Sequence, residues 1–326
     1  MALPRSHPNV LAGPYLERAA HWRKDEERLR AALADPATWF VPVWQARSAI
    51  VTAPDGRAAA YFATGAHALA GVDTSGGFIL LGEFHQHVVF AVAVAGDAPP
   101  ALASGTELHD LRLIAGELSA EEAGLLAYAR AMVHWQAHNR FCGRCASPMI
   151  PGQGGHVMHC SNPNCSHQQF PRLDPAVIVL VTDGERALLG RQPSWPAGRY
   201  STIAGFVEPG ESLEDAVARE VREETGVVVD EVAYHSSQPW PFPSSLMLGF
   251  VAHASQTAID LSDQELEDAG WFTRAQIAAG EIALPTTHSI SFRLVEDWYD
   301  SGAKTPLRDE PGVRMWQAPK REAVGG

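Results

Sequence analysis

Between Gly205 and Val227 the run GFVEPGESLEDAVAREVREETGV gathers Glu211, Arg219, Glu220, Glu223 and Glu224 directly after a glycine-bearing loop. Residues three and four apart share one face of a helix, so Glu220 lies beside both Glu223 and Glu224. Unpaired like charges at that spacing destabilise a helix by about 0.2–0.5 kcal/mol per pair, and a bound cation removes the penalty. Carboxylate oxygens with open positions suit Mg²⁺ or Mn²⁺, which keep waters and share their shell with phosphates. The chemistry on offer is divalent-cation chemistry on a phosphate ester or anhydride. A helix must position it. Ser212 is a good N-cap, with Asp215 three residues on completing a capping box, and Gly226 sits where a left-handed residue stops a helix. The spacing predicts about three turns between them, with Leu213, Ala216, Val217 and Val221 facing a core.

A second constellation is Cys142, Cys145, Cys160 and Cys165, all the cysteines of the 326-residue chain. Two knuckles separated by a glycine-rich hairpin offer four thiolates to one tetrahedral Zn²⁺, the pattern of a zinc ribbon. With four sulfur ligands no coordination position is left for a substrate, which makes the zinc structural. Two disulfides are the alternative, but the N-terminal MALPRSHPNV lacks the apolar core of a secretory signal, so a reducing cytoplasm is expected. His156, His159 and His167 lie near enough to replace a cysteine, and are read as polar loop residues. As a nucleic-acid module the ribbon has few cations, Arg140, Arg144 and Arg172.

The third feature is Ser237–Ser245, SQPWPFPSS, in which three prolines alternate with Trp240, Phe242 and serines. Such a segment is stiff, cannot pair as a central strand, and presents rings at little entropic cost. By composition it serves equally as a packing loop or a ligand site.

The spacing from Gly205 to Val227 fills every fixed position of the Nudix box, G-x5-E-x7-R-E-U-x-E-E-x-G-U with U aliphatic. Together with SQPWPFPxS and the preceding ribbon with its C-x4-C second pair, the chain resembles the NADH pyrophosphatase family of Nudix hydrolases. The resemblance implies an α+β protein. Its catalytic part would be a Nudix α/β/α sandwich with a mixed sheet, preceded by a zinc ribbon and an N-terminal α+β domain of degenerate Nudix type. Domains are expected at 1–137, 138–170 (ribbon) and 171–315 (catalytic), with a tail at 316–326.

The same resemblance implies hydrolysis of NADH or NAD⁺ to the nicotinamide mononucleotide and AMP, and removal of NAD caps from RNA 5′ ends. Glu220, Glu223 and Glu224 would hold the catalytic Mg²⁺ or Mn²⁺, Arg219 would hold the carboxylates, and Glu211 would stand behind them. Glu265, in a segment similar to the family's E-x-x-x-A-x-W-F, would complete the metal set from a loop. Phe170 and Phe206 match positions that flank a base, and Gln238, Trp240 and Ser245 would frame the nucleotide. Stacking contributes on the order of 1–3 kcal/mol per base, enough to favour a dinucleotide over bare pyrophosphate. Ser289-Ile290-Ser291 stands where the family has S-I-A and departs at its third position. A homodimer with its pocket across the interface is also implied. Other Nudix substrates, ADP-ribose or a diadenosine polyphosphate, and a non-catalytic nucleotide-binding regulator are the competing readings.

Before the ribbon no second box appears. A charged helical stretch near His21–Arg28, strands at Ser48–Thr52, Phe78–Leu81 and Val88–Val94, and a helix from Ala120 capped by Ser119 are expected. Val177 begins a buried strand that turns at Asp183-Gly184 into a second at Ala187–Leu189. No run is long and apolar enough to span a membrane. A formal net charge of −13 opposes broad binding to nucleic acid. Any RNA contact is expected to be confined to the 5′ end.

Overall fold

The computed structural model describes residues 8–316. It divides into two compact units, one gathering residues up to Leu173 together with Pro239–Ser245, the other the remainder. The expected tail at 316–326 falls, apart from Trp316, outside the described residues.

In the first unit, α1 (Glu26–Ala34) precedes β1 (Trp39–Trp44), β2 (Arg47–Thr52), β3 (Ala58–Ala60), β4 (Ala63–Thr64), β5 (Phe78–Phe84), β6 (His87–Val94) and β7 (Glu107–Asp110). These strands form one mixed sheet in the order β3-β2-β1-β6-β5, with β1 parallel to β6 and antiparallel to β2 and β4. Sequence reasoning did not find β1, whose WFVPVW run carries Pro42 in its middle. On one side β1 pairs with β4 at Trp39–Phe40 and with β2 at Val43–Trp44. Pro42 falls in the gap between those partners, which is where a residue without an N–H costs least.

After α2 (Leu111–Ile114), α3 (Ala120–His138) starts at the Ser119 cap, whose Oγ accepts from the Glu122 N–H at 3.2 Å. Its Leu125, Leu126, Ala129 and Met132 are buried against the sheet. The ribbon follows as β8 (Met149–Gly152), β9 (Val157–Cys160) and β10 (Gln168–Gln169), an antiparallel sheet with β9 central.

The second unit runs β11 (Asp174–Thr182), β12 (Arg186–Arg191), β13 (Ile203–Phe206), α4 (Leu213–Thr225), β14 (Val228–Trp240), β15 (Ser245–Gln256), β16 (Asp268–Thr273), α5 (Arg274–Ala278), β17 (Ala283–Leu284), α6 (Ile290–Gly302) and β18 (Arg314–Met315). The main sheet has the order β14-β15-β11-β12-β16, and β13 adds to β11 with Gly205 opposite Val177. Strand β11 is buried on both faces. Its Val177, Val179 and Val181 join Ala216, Val217 and Val221 of α4 in one core, while Ile178 and Leu180 join Leu294, Val295 and Trp298 of α6 in another. Alternation along one strand therefore creates the α/β/α sandwich. The proline-bearing β14 is an edge strand, where a missing N–H leaves no ladder bond unmade.

Helix α4 has the ends its sequence specifies. Ser212 and Asp215 form a reciprocal capping box, and Gly226 closes the helix at φ 69°. A side chain there would also strike Asp260, whose Cβ lies 2.8 Å from the position a Gly226 Cβ would take. No helix among the described residues is long and apolar enough to cross a membrane.

Candidate active site

The carboxylate face of α4 is organised by Arg219. Its Nε and Nη2 form a fork on Glu211, with Nη2 to Oε2 at 2.9 Å, and Nη1 donates to Glu220 at 2.9 Å and to Glu223 at 3.0 Å. Nη2 also donates to the Phe206 carbonyl at 2.9 Å, tying the end of β13 to the helix. Planar donors in fixed directions suit this bridging task as a lysine would not. Arg219 holds Glu211 well below the usual carboxylate range, at about 2.

Glu220 and Glu224 are buried and Glu223 is exposed. Desolvation is the first cause raising both buried carboxyls, and Glu224 is pushed up to about 8. The charge of Glu265, in the loop before β16, raises both further. Two neighbouring carboxyls have lost water, and only Glu220 shares Arg219, so a divalent cation suits the pair as a partner. Gly205 shows how tight the site is. A Cβ on it would lie 2.0 Å from the Glu220 carboxylate, so only glycine lets that group lie against β13.

The four cysteine sulfurs lie within 4.8 Å of one another, with Cys142–Cys165 at 3.9 Å and Cys145–Cys160 at 3.4 Å. Tetrahedral thiolates about 2.3 Å from Zn²⁺ have edges of about 3.8 Å, so the donor set fits one zinc and leaves it no open position. His156 is no polar loop residue. It is buried, 2.7 Å from the Leu80 carbonyl through Nε2, and burial lowers its pKa to about 4.

Comparison with known proteins gives three adjoining family matches. Residues 37–135 match the NADH pyrophosphatase-like rudimentary NUDIX domain, 137–170 the NADH pyrophosphatase zinc ribbon domain, and 172–297 the NUDIX domain. The chain is 44% identical over 218 residues to the NAD-capped RNA hydrolase NudC of Stutzerimonas stutzeri, covering 66% of this chain and 75% of that one. It is 41% identical to NudC of Deinococcus radiodurans, covering 71% and 79%. It is likewise 41% identical to the NAD-capped RNA hydrolase NUDT12 of Homo sapiens, over 56% of this chain but only 43% of that longer protein. This chain belongs to the NADH pyrophosphatase family of Nudix hydrolases.

Within that family frame, the remaining sequence-selected residues have distinct placements. Phe170 and Phe206 are exposed rings, 58% and 60% accessible. Gln238 has a structural role that the sequence did not suggest. It is fully buried, its Nε2 donates to the His288 carbonyl and its Oε1 accepts from the Ile290 N–H, both at 2.8 Å. Its amide spans the loop entering α6. Ser291, the departure from S-I-A, holds the same loop from another side, with Oγ 2.8 Å from both the Ser201 and Thr202 hydroxyls.

Trp240 is half-buried and stands edge-on to Phe242, with centroids 5.0 Å apart. The Arg112 and Arg130 guanidiniums each lie 5.0 Å from the Phe242 ring centre, and Arg130 donates to the Pro241 carbonyl at 2.7 Å. Ser245, buried, opens β15. The contacts of Gly205, Arg130 and Ser291 were missed from sequence, because their partners lie 15 to 111 positions away.

Three outcomes follow from this geometry. Gly205→Ala should leave the fold intact but displace Glu220 and weaken divalent-cation binding at least about tenfold, measured by Mn²⁺ titration. The protein should carry one zinc per chain, released on titrating its thiols with a mercurial, and Cys142→Ser should lose it.

The third outcome concerns pH. Glu224 is raised in the folded state, so its contribution to metal-free stability is complete below its unfolded value and is lost as pH rises through about 8. Glu211 has the opposite sign, but its window lies below about 4.5 and does not interfere. Metal-free protein should therefore melt lower at about pH 9 than at about pH 6, and cation loading near neutrality should release protons, read by calorimetry in buffers of different ionisation enthalpy.

Proposed function

We propose that this chain hydrolyses the pyrophosphate of NADH and NAD⁺ to the nicotinamide mononucleotide and AMP, and removes NAD caps from RNA 5′ ends. The observation that carries the reaction is the Arg219-organised cluster of Glu220, Glu223 and Glu224 packed against a glycine that makes room for it. Membership of a family whose relatives are NAD-capped RNA hydrolases, together with the complete Ser237–Ser245 motif, supports the dinucleotide as substrate.

Glu220, Glu223, Glu224 and Glu265 would hold Mg²⁺ or Mn²⁺. When bound, such cations neutralise charge on pyrophosphate oxygens and make a water easier to deprotonate. The protein's own task is preorganisation. Arg219 fixes the directions of three carboxylates and cancels part of their repulsion, and burial strips water from Glu220 and Glu224. Phe170 and Phe206 offer faces for stacking, and Trp240 and Ser245 lie in the segment that frames the nucleotide. Gln238 acts as a positioning residue by holding the 288–290 loop.

The reading divides the chain at 1–137, 138–170 and 171–315, with only the last part carrying out hydrolysis. The exposed side chains Phe141, Ile150, Phe170 and Leu173 support a homodimer. The four-thiol zinc ligand set supports a cytoplasmic setting.

The decisive experiment is mass-spectrometric product analysis with NADH, ADP-ribose and NAD-capped RNA under Mg²⁺ or Mn²⁺. AMP and reduced nicotinamide mononucleotide from NADH, and a 5′-monophosphate on RNA, are expected, with Glu220→Gln slower by about 10²–10³-fold and still folded. No AMP from NADH under either metal, or equal rates on ADP-ribose, would contradict the substrate assignment. Parental turnover by Glu220→Gln would contradict the metal assignment.

A further inference from the structure

Glu265 stands on the loop before β16, near enough for its charge to raise the Glu220 and Glu224 carboxyls, and a loop carboxylate needs something to hold it in place. Its own N–H is turned by the Asp263 side chain, which accepts it at 3.2 Å. The next residue, Leu266, is only 7% exposed and enters the core beneath α4. It fits because position 190 lacks a side chain. A Cβ on Gly190 would stand 2.7 Å from Leu266 Cδ1 and 3.1 Å from Ile203 Cδ1. Glu267 is then tied twice to Arg191, by its N–H to the Arg191 carbonyl at 2.9 Å and by its carboxylate to Nη1 at 2.8 Å. The same Nη1 donates to the Trp195 carbonyl at 3.2 Å. From there β16 runs in register along β12, Asp268 opposite Arg191 and Ala269 opposite Gly190, and Asp268 accepts from the Tyr200 hydroxyl.

We propose that Gly190 and Arg191 are positioning residues for Glu265. Leu266 wedged over Gly190 and Glu267 gripped by Arg191 set the loop so that the intervening backbone presents Glu265 to Glu220 and Glu224. Burial of one side chain sends its neighbours outward on either side. Arg191 takes Glu267, while the charge of Glu265 acts on both buried carboxyls and that of Asp263 on Glu224 alone. This inference rests on the reading of Glu265 as a cation ligand. It assigns to the tip of β12, which bears no metal-ligating residue, a role in the affinity of the site.

The test uses the full-length protein and Mn²⁺ alone as probe, with affinity measured by electron paramagnetic resonance and turnover of NADH measured in parallel. Arg191→Met is informative in its sign. Removing a cation near a cluster of acids should tighten Mn²⁺ binding if Arg191 acts only through its charge, whereas loss of positioning should weaken it. The expected result is a loss of about tenfold in Mn²⁺ affinity and a lowered kcat, with KM for NADH changed less than about twofold. Gly190→Ala, which pushes Leu266 out, should do the same if it folds. In a Glu265→Gln background neither substitution should weaken Mn²⁺ further, because the residue they position no longer ligates.

Parental or tighter Mn²⁺ binding by Arg191→Met would overturn the inference. So would an equal loss with and without Glu265→Gln. Parental Mn²⁺ affinity in Glu265→Gln alone would instead remove the ligand reading beneath it, and the single variant separates that failure from failure of the positioning role.

Discussion

Several carboxylates share a small space on and around α4, and Arg219 offsets the repulsion among three of them. One guanidinium bridges Glu211, Glu220 and Glu223 and also reaches the carbonyl of Phe206. It is held strongly protonated, chiefly by its bond to Glu211. The pairing has a structural consequence beyond charge. By linking the end of β13 to α4, Arg219 closes the glycine-bearing loop between them, so the loop's shape and the carboxylate positions depend on one side chain. A partly exposed ion pair is worth little to stability by itself, but this one specifies geometry.

The rest of the second unit supplies rigidity. Strand β11 is buried on both faces, and α4 presses Ala216, Val217 and Val221 onto it. Glu220 and Glu224 stand at the border of that apolar face, which is why they are desolvated while Glu223, farther around the helix, is not. Packing of α4 on β11 thus sorts three closely spaced acids into two environments.

Gln238 shows a structural role that local reading does not reveal. Within a motif rich in rings and prolines a glutamine invites a binding role, yet its amide is spent on the backbone at His288 and Ile290. Ser291 secures the same loop through Ser201 and Thr202. A fully buried amide with both ends satisfied specifies a loop conformation, since any other placement leaves polar atoms unpaired. Phe242, for which packing was one of the two readings open, is 9% exposed and has the Arg112 and Arg130 guanidiniums 5.0 Å from its ring centre.

The helix, its caps, the acidic face, the four-thiol site and the buried β11 were legible because each depends on residues a few positions apart, and backbone periodicity converts such spacing directly into direction. Strand β1 was not, because a proline in a central strand is tolerable only where neighbouring strands leave a gap. The sequence by itself therefore determined which groups could do chemistry and on which local element each would stand. Tertiary structure decided which carboxylates lose water, why position 205 must lack a side chain, and that Gln238 supports a loop. Those outcomes rest on contacts between segments distant in the chain, whose approach is set by core packing and not by local spacing.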